Sequence, residues 1–182
     1  MSRTFFDVLG VPRAYHFPKP QLEAQYLALS KQLHPDRFAK APPKERMGAL
    51  QKTTELNDAY RVLKEDVKRA EYLLKLEGLD IGDERSAVKA SPALLMEMME
   101  LNEALDEARA AGDQARVKAL LDGVLGQRAA AMATVDEAFK RYETGDRAAL
   151  DAAAQALIAL KYHARFLEHA ERGEGDPESG EI

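Results

Sequence analysis

The chain has 182 residues, of which 46% are apolar, so it is long enough to bury the core of one large domain or of two small ones. It contains no cysteine, which excludes disulfide bonds and any cysteine-ligated metal site within the chain. A net charge of −5 without a dense basic run argues against nucleic-acid binding, and the lack of an apolar run of about 18 residues argues against a membrane span. We therefore expect a cytoplasmic protein that binds neither nucleic acid nor a membrane.

Charge is distributed unevenly along the chain. Residues 1–77 carry 14 basic and 10 acidic side chains, whereas residues 78–182 carry 12 basic and 21 acidic ones. Such asymmetry is typical of two domains whose surfaces meet different partners. Helical periodicity is lost just after residue 77, where glycine and aspartate are frequent, so we predict an acidic linker over residues 78–91.

The first domain begins with two helices. An apolar cluster at residues 5–9 predicts a short helix that Gly10 ends. Pro20 is placed to open a longer helix with one apolar face. The residues that recur along this face are Leu22, Tyr26, Leu29 and Leu33. This helix must end near His34, because Pro35 disfavours the helical conformation in the residue before it.

A second long helix follows the loop marked by Pro42 and Pro43, since proline suits the first helical turn. It presents an imperfect apolar stripe that we expect to pack antiparallel against the preceding helix. The stripe consists of Met47, Leu50, Leu56, Tyr60 and Leu63. Tyr26 and Tyr60 are expected to be core residues rather than binding residues. One more short helix is predicted over residues 67–76.

His34, Pro35 and Asp36 thus lie at the tip of a helical hairpin. A histidine and an aspartate two residues apart could serve as the base and the orienting acid of a hydrolase. No cysteine, no Gly-x-Ser-x-Gly motif and no plausible neighbouring serine or threonine supplies a nucleophile, so we disfavour that interpretation. The tripeptide alone leaves open an ordinary loop with incidental polar residues.

The sequence around this tip resembles a known module. Residues 5–10 (FFDVLG), the tip itself and residues 56–63 (LNDAYRVL) resemble a J-domain, with which co-chaperones stimulate the ATPase of a DnaK-type chaperone. More closely, residues 26–38 and 69–74 (RAEYLL) resemble the HscB-type co-chaperones of iron–sulfur cluster assembly. The resemblance covers the first domain with strong motifs and continues more weakly through the second.

The resemblance implies a non-enzymatic protein that contacts two others. A J-domain at residues 1–77 would engage a chaperone of the DnaK or HscA type and activate its ATPase, and the second domain would bind an IscU-like scaffold protein. The residues expected to bind the chaperone are His34, Pro35, Asp36, Lys31, Arg37 and Lys40. Lys31 is the single basic residue between Pro20 and Leu33, where J-domains often have several. Either Arg37, Lys40 and Lys44 supply the charge from the tip instead, or the partner is a dedicated chaperone.

The second domain has the start and stop signals of three helices. Ser91, followed by a proline, can cap the first of them. Gly112-Asp113 and Gly145-Asp146 each place a glycine at the end of one helix and a capping aspartate before the next. Such short connections force antiparallel neighbours, so we predict a three-helix bundle over residues 92–170 and a disordered acidic tail at residues 171–182. The predicted fold class is all-α, a J-domain followed by an antiparallel three-helix bundle.

The first bundle helix has more apolar surface than a bundle core needs. Its core stripe consists of Leu94, Met98, Leu101 and Leu105. A second stripe with acidic edges consists of Leu95, Met96 and Met99 with Glu100 and Glu103. The final helix leaves a comparable set, Ile158, Tyr162 and Phe166. An exposed apolar patch rimmed by acids indicates a protein-binding site, and burial of the helix by two neighbours is the alternative.

In HscB-type proteins the first and last bundle helices bind the scaffold protein. The resemblance places the client-binding residues at Leu95, Met96, Met99, Glu100, Glu103 and Phe166. We expect the apolar members of this set to be exposed in the free protein, and Leu101 and Leu157 to be core residues.

Three smaller expectations concern the same domain. His163 and His169 are six residues apart, which does not match the spacing of a helical metal pair, so no metal or other cofactor is expected. Gly123 and Gly126 interrupt the middle helix and predict close packing or a bend. Weak self-association of the chain is left open.

Overall fold

The computed structural model describes residues 3–82 and 88–172. Within these ranges every regular element is a helix, which confirms the all-α class. The chain divides into two compact units, of which the first ends at Gly78 and the second begins at Leu79. None of the described helices is both long and apolar enough to cross a membrane.

The described part of the first unit contains four α-helices and a short 3-10 helix. Their bounds are α1 (Phe5–Leu9), α2 (Lys19–Leu33), the 3-10 helix (Pro35–Phe38), α3 (Pro43–Leu63) and α4 (Asp66–Leu76). Gly10 follows α1 with a φ of 63°, the left-handed conformation that glycine adopts without strain. The predicted end of α2 before His34 and the predicted start of α3 at Pro43 are both confirmed.

A buried arginine connects three helices of the first unit. The surrounding core includes Phe6, Leu9, Leu22, Leu56, Leu63 and Leu74. The Arg69 guanidinium donates to the backbone oxygen of Leu63 at 2.6 Å and to the Asp66 carboxylate at 2.5 Å. Asp66 also accepts from Lys19 Nζ at 3.0 Å. Although burial alone would raise the pKa of Asp66, the hydrogen bonds from Lys19 and Arg69 lower it. These contacts fix α4 against the end of α3 and the start of α2.

Two apolar residues of α3 that we expected to pack against α2 are exposed instead. Met47 and Leu50 are 67% and 60% exposed, so this part of the predicted stripe is wrong. The residues that α3 buries are Ala49, Leu56, Ala59 and Leu63. At roughly 100° per helical residue, Met47 and Leu50 lie about 165° and about 135° around the helix from the centre of that buried stripe.

Tyr26 and Tyr60 join α2 to α3. Their rings stack with centroids 4.0 Å apart, and the Tyr26 hydroxyl donates to Asn57 Oδ1 at 3.0 Å. Both side chains are half-buried. They therefore lie at the edge of the contact between the two helices, with the polar end of Tyr26 satisfied by its neighbour.

The second unit contains the three predicted bundle helices. Their bounds are α5 (Pro92–Ala110), α6 (Gln114–Glu143) and α7 (Ala149–Arg172). The Ser91 side chain accepts from the Leu94 N–H and the Asp113 side chain accepts from the Arg116 N–H, which confirms both predicted caps. Most of α7 packs against α6 along its length, and α5 contacts both.

The two turns of the bundle have the predicted glycines in the left-handed conformation. Gly112 has a φ of 67° and Gly145 a φ of 106°. The Arg141 side chain lowers the pKa of Asp146 against the opposing effect of desolvation, and hydrogen bonds from the backbone of Ala149 and Ala148, where α7 begins, lower it further. The Asp146 carboxylate thus caps α7 as expected.

The bundle core lies between the three helices. Its large buried side chains include Leu105, Val124, Phe139, Leu150, Leu157 and Phe166. Leu101, which we expected in the core, is half-buried and packs at the edge of the cluster around Leu105. The prediction for Leu157 is confirmed, since it is fully buried.

Three expectations about the second unit have mixed outcomes. A Cβ built on Gly123 or Gly126 would meet no atom within 4 Å beyond the helix's own backbone, so close packing, one of the two explanations left open for these glycines, does not apply. The helix α7 continues through residues 171 and 172, which we expected to belong to the disordered tail. Residues 173–182 of that tail, and residues 83–87 of the predicted linker, lie outside the described residues.

Candidate functional site

The hairpin tip presents a histidine and an aspartate to solvent. His34 ends α2 and caps the 3-10 helix, where its Nδ1 lies 3.4 Å from the Asp36 backbone nitrogen and 3.5 Å from Asp36 Oδ2. The two side chains are 58% and 89% exposed. Such an open pair, in water of high dielectric, lacks the buried environment that tunes a general base. Both side chains are therefore accessible from solvent.

A threonine of α3 holds the tip in place. The Thr53 hydroxyl lies 3.3 Å from the backbone oxygen of Leu33 and 2.9 Å from that of Ala49. The backbone oxygen of Leu33 lies in the last turn of α2, where carbonyl groups have no hydrogen-bond partner within the helix. This contact fixes the end of α2 against α3, and Pro35 then sets the direction of the chain that carries His34 and Asp36.

Basic side chains surround the tip. Lys31, Arg37 and Lys40 are all exposed, and none of them forms an ion pair with another residue in ranges 3–82 and 88–172. Their charges are therefore available to an acidic surface. The structure brings the tip residues and these cations together on one end of the hairpin.

A groove lies between α5 and α7 of the second unit. Its volume is about 620 Å³. The residues that line it are Leu95, Met98, Met99, Asn102, Glu103, Tyr162, Arg165 and Phe166. Leu95 and Met99 are 40% and 65% exposed, as we expected. Met96 and Glu100 are exposed on the same helix but do not line the groove.

Phe166 is not exposed, which corrects the sequence prediction. It is 2% exposed and belongs to the core cluster with Leu105 and Val124. Ile158 is likewise buried, and Tyr162 is half-buried. These residues are buried because α7 packs against both α5 and α6. Burial by two neighbours was the alternative that we left open for the first bundle helix, and it applies to the last helix instead.

The hydrophobic pattern did not assign three of the lining residues to a binding surface. Met98 was assigned to the core stripe, and Asn102 and Arg165 are polar, so periodicity could not select them. Asn102 Nδ2 donates to the backbone oxygen of Met98 at 2.6 Å, and its Oδ1 lies 3.1 Å from His169 Nδ1 of α7. The Arg165 guanidinium lies 5.6 Å from the centre of the Tyr162 ring. Polar contacts therefore shape one end of the groove.

Further polar contacts between helices fix the walls of the groove. The Arg109 guanidinium donates to the backbone oxygen of Ala170 near the end of α7. On the other side of α5, Gln127 Nε2 donates to Glu97 Oε1 at 2.6 Å. These contacts join α5 to both of its neighbours, so the groove is set by the packing of the bundle.

Both units match known families. The family model described as the DnaJ domain matches residues 4–72, and the one described as the HSCB C-terminal oligomerisation domain matches residues 90–171. A curated relative in Burkholderia thailandensis, named co-chaperone protein HscB homolog, is 34% identical over 172 residues, covering 94% of this chain and 97% of the relative. The chain belongs to the HscB family of co-chaperones.

A second curated relative and two solved structures are also similar to this chain. A relative in Azoarcus sp. (strain BH72), also named co-chaperone protein HscB homolog, is 40% identical over 113 residues, covering 62% of this chain and 63% of the relative. The structure is similar to that of chaperone HscB from Vibrio cholerae, with 32% identity, a TM-score of 0.73 and coverage of 94% and 97% of the two chains. It is also similar to the crystal structure of human co-chaperone protein HscB, with 26% identity, a TM-score of 0.75 and coverage of 96% and 83%.

Membership in this family decides between the interpretations of the tip. J-domain co-chaperones regulate a DnaK-type chaperone and are not enzymes, so the hydrolase interpretation of His34 and Asp36 is set aside. This HscB-family chain is therefore a J-domain co-chaperone with a DnaK-type partner.

Proposed function

We propose that this chain holds an IscU-like iron–sulfur scaffold protein in the α5–α7 groove and delivers it to an HscA-type chaperone, whose ATPase the hairpin tip stimulates. The observation that supports this most directly is the groove, an apolar surface with an acidic edge on a bundle of the HscB family. The proposal divides the chain into a J-domain (1–77), a linker (78–91), a client-binding bundle (92–170) and a tail (171–182). Action in the cytoplasm stays a prediction.

The proposed client contacts come from a rim, which we define as the exposed side chains of α5 that line the groove or lie directly beside it. Leu95, Met96 and Met99 are exposed apolar side chains, and burying such a side chain against a partner contributes about 1 to 2 kcal/mol when it is already partly covered. Glu100 and Glu103 place negative charge beside them, which would orient a scaffold protein with a basic patch. Phe166 supports the rim from the core and is no longer proposed as an exposed anchor.

The tip supplies the proposed chaperone contacts. His34, Pro35 and Asp36 would make the specific contact, because their side chains are exposed while their backbone is fixed by the 3-10 helix. Lys31, Arg37 and Lys40 would steer the tip toward an acidic surface and raise the association rate. Since one chain carries both surfaces, the scaffold protein is held at a raised local concentration near the chaperone.

The deciding experiment measures the chaperone's ATP hydrolysis alone, with the scaffold protein, with this chain, and with both. We expect stimulation by this chain and a larger stimulation by both. His34→Gln should return the rate to that without this chain, while unfolding free energy changes by less than about 0.5 kcal/mol, because an exposed loop side chain contributes little to stability.

Asp36→Asn should behave like His34→Gln, and both variants should still bind the scaffold protein. Full stimulation by either variant would contradict the proposed role of the tip. Normal stimulation without binding of an IscU-like scaffold would instead indicate a J-domain protein with another client.

A further inference from the structure

The exposed methionine side chains of the bundle are concentrated at the rim of the α5–α7 groove. The chain has six methionines and no cysteine, so thioethers are its only sulfur groups. Met96 and Met99 are 64% and 65% exposed. Met98, on the same helix, is 5% exposed, and Met132 of α6 is half-buried. Within the described part of the bundle, a reagent in solution therefore reaches the two rim methionines before the other two.

Both rim methionines lie where a client would cover them. Met96 and Met99 are three residues apart, so their side chains are neighbours on one face of α5. Met99 lines the groove together with Leu95, which is one turn away, and Met96 lies beside the groove. Two of the three apolar side chains proposed to contact the scaffold protein are thus thioethers.

Oxidation converts such a side chain from apolar to polar and leaves the backbone unchanged. The sulfur lone pair attacks one oxygen of hydrogen peroxide, an S–O bond forms and the O–O bond breaks. The proton of the transferred oxygen passes to the departing hydroxide, which leaves as water. The sulfur is thereby oxidised by two electrons to a sulfoxide, and the peroxide is reduced. Hydrogen peroxide is uncharged, so the acidic side chains of Glu100 and Glu103 do not repel it.

We propose that Met96 and Met99 form a reversible oxidation site, at which hydrogen peroxide turns off client binding in the α5–α7 groove. The inference rests on the proposed function of the groove and adds its regulation. A sulfoxide oxygen that is buried against the scaffold protein without a hydrogen-bond donor opposes binding, whereas the apolar thioether favours it. Because both side chains are exposed, methionine sulfoxide reductases can reach the oxidised groups and return them to thioethers.

The hairpin tip is expected to keep its activity when the rim is oxidised. His34, Pro35 and Asp36 contain no sulfur, and the tip belongs to the other unit of the chain. The oxidised chain should therefore still stimulate the chaperone ATPase by itself. It should lose the additional stimulation that the scaffold protein gives to the unoxidised chain.

The test treats the folded chain with hydrogen peroxide until mass spectrometry of its peptides shows sulfoxide at Met96 and Met99 and none at Met98. Titration with an IscU-like scaffold protein should then give an affinity about tenfold weaker than before, because two side chains of the rim have become polar. Methionine sulfoxide reductases should restore the affinity. Denaturant unfolding should be the same before and after treatment, since neither oxidised side chain belongs to the core.

Two variants assign the effect to the rim. Met96→Leu/Met99→Leu keeps apolar side chains of similar volume but has no sulfur at these positions, so its affinity should be the same before and after peroxide. Met47→Leu is the matched control, because Met47 is 67% exposed on α3 of the first unit. It should lose affinity on oxidation as much as the unchanged chain does.

The outcomes separate this inference from the proposed function. If the untreated chain does not bind the scaffold protein, the proposed function fails and the inference fails with it. If the oxidised chain binds as tightly as the untreated one, the inference fails and the proposed function stands. An equal loss of affinity in Met96→Leu/Met99→Leu would assign the effect to another side chain and overturn the inference. Oxidation of Met98 as fast as Met99, with loss of stability, would also overturn it, because the bundle would then be opening.

Discussion

Leu95 and Met99 extend from α5 toward solvent, whereas Phe166, which lines the same groove, belongs to the bundle core. The proposed scaffold site therefore has an exposed rim and a buried floor. Truncation of the rim removes surface that only a partner would bury. Truncation of the floor opens a cavity inside the bundle.

We predict that Leu95→Ala and Met99→Ala each weaken binding of an IscU-like scaffold by about fivefold to thirtyfold, which corresponds to about 1 to 2 kcal/mol. Their unfolding free energies should stay within about 1 kcal/mol of the unchanged chain, because both side chains are substantially exposed. Isothermal titration with the scaffold and denaturant unfolding measure the two effects.

Leu157→Ala and Phe166→Ala are the matched controls. Both residues are buried, so each change should cost about 2 to 5 kcal/mol of stability through lost packing and a cavity. If Leu95→Ala destabilises the bundle as much as Leu157→Ala, and affinity follows only the folded fraction, the rim is structural and the scaffold binds elsewhere.

His163 predicts a dependence of stability on pH. The ring is 4% exposed, and its Nδ1 has no hydrogen-bond partner among the described residues. Burial lowers the pKa of His163 below its ordinary value of 6.5, while Glu97 of α5 opposes this and Arg128 of α6 adds to it. The unfolded chain therefore binds the proton more readily, and stability falls as the pH falls below about 6.5.

His163→Gln removes the titrating group but keeps a polar side chain of similar length. The unfolding free energy of the unchanged chain should decrease relative to that of this variant between about pH 7 and pH 5. Denaturant unfolding at a series of pH values measures this difference. A constant difference across that range would show that His163 does not become harder to protonate on folding.

At the scale of the helix, Gly123 and Gly126 lower the stability of α6. Both lie in the helix interior, and an added Cβ would meet no atom within 4 Å. Gly123→Ala and Gly126→Ala should each raise the unfolding free energy by about 0.5 to 1 kcal/mol, because alanine restricts the unfolded chain and fits the helix. Thermal unfolding measures the gain.

Gly112→Ala is the control for that prediction. Its Cβ would also meet no atom within 4 Å, but the φ of Gly112 is 67°, so alanine there would be strained and should lower the melting temperature. A loss of stability in Gly123→Ala as well would imply that α6 needs a bend at this position.

Helix ends could be predicted from the sequence because their causes are local. Pro35, Ser91 and Gly112 act through their own backbone or through neighbours within a few residues. Burial of a helix face depends on which element packs against that face. The periodicity of the sequence does not determine that element. The expectations for Met47, Leu50 and Phe166 were wrong for that reason.

At the scale of the whole molecule, the family and its J-domain followed from motifs that are contiguous in sequence. The α5–α7 groove combines residues from helices about sixty positions apart, so only its α5 rim could be identified beforehand. Asn102 and Arg165 are polar members of an apolar groove and could be found only once α7 was placed beside α5. The boundaries that we propose for the two domains and their linker stay a prediction.

The Phe166 ring packs in the bundle core and, under the proposed function, also forms the floor of the client-binding groove. A change of that residue during evolution would be selected for both properties at once, whereas Leu95, Met96 and Met99 can vary with little effect on the fold. The rim residues can therefore co-evolve with a scaffold protein of altered shape, whereas Phe166 in the floor of the groove changes only as slowly as the rest of the core. The two methionines, which are unbranched and flexible, give the rim tolerance for such drift.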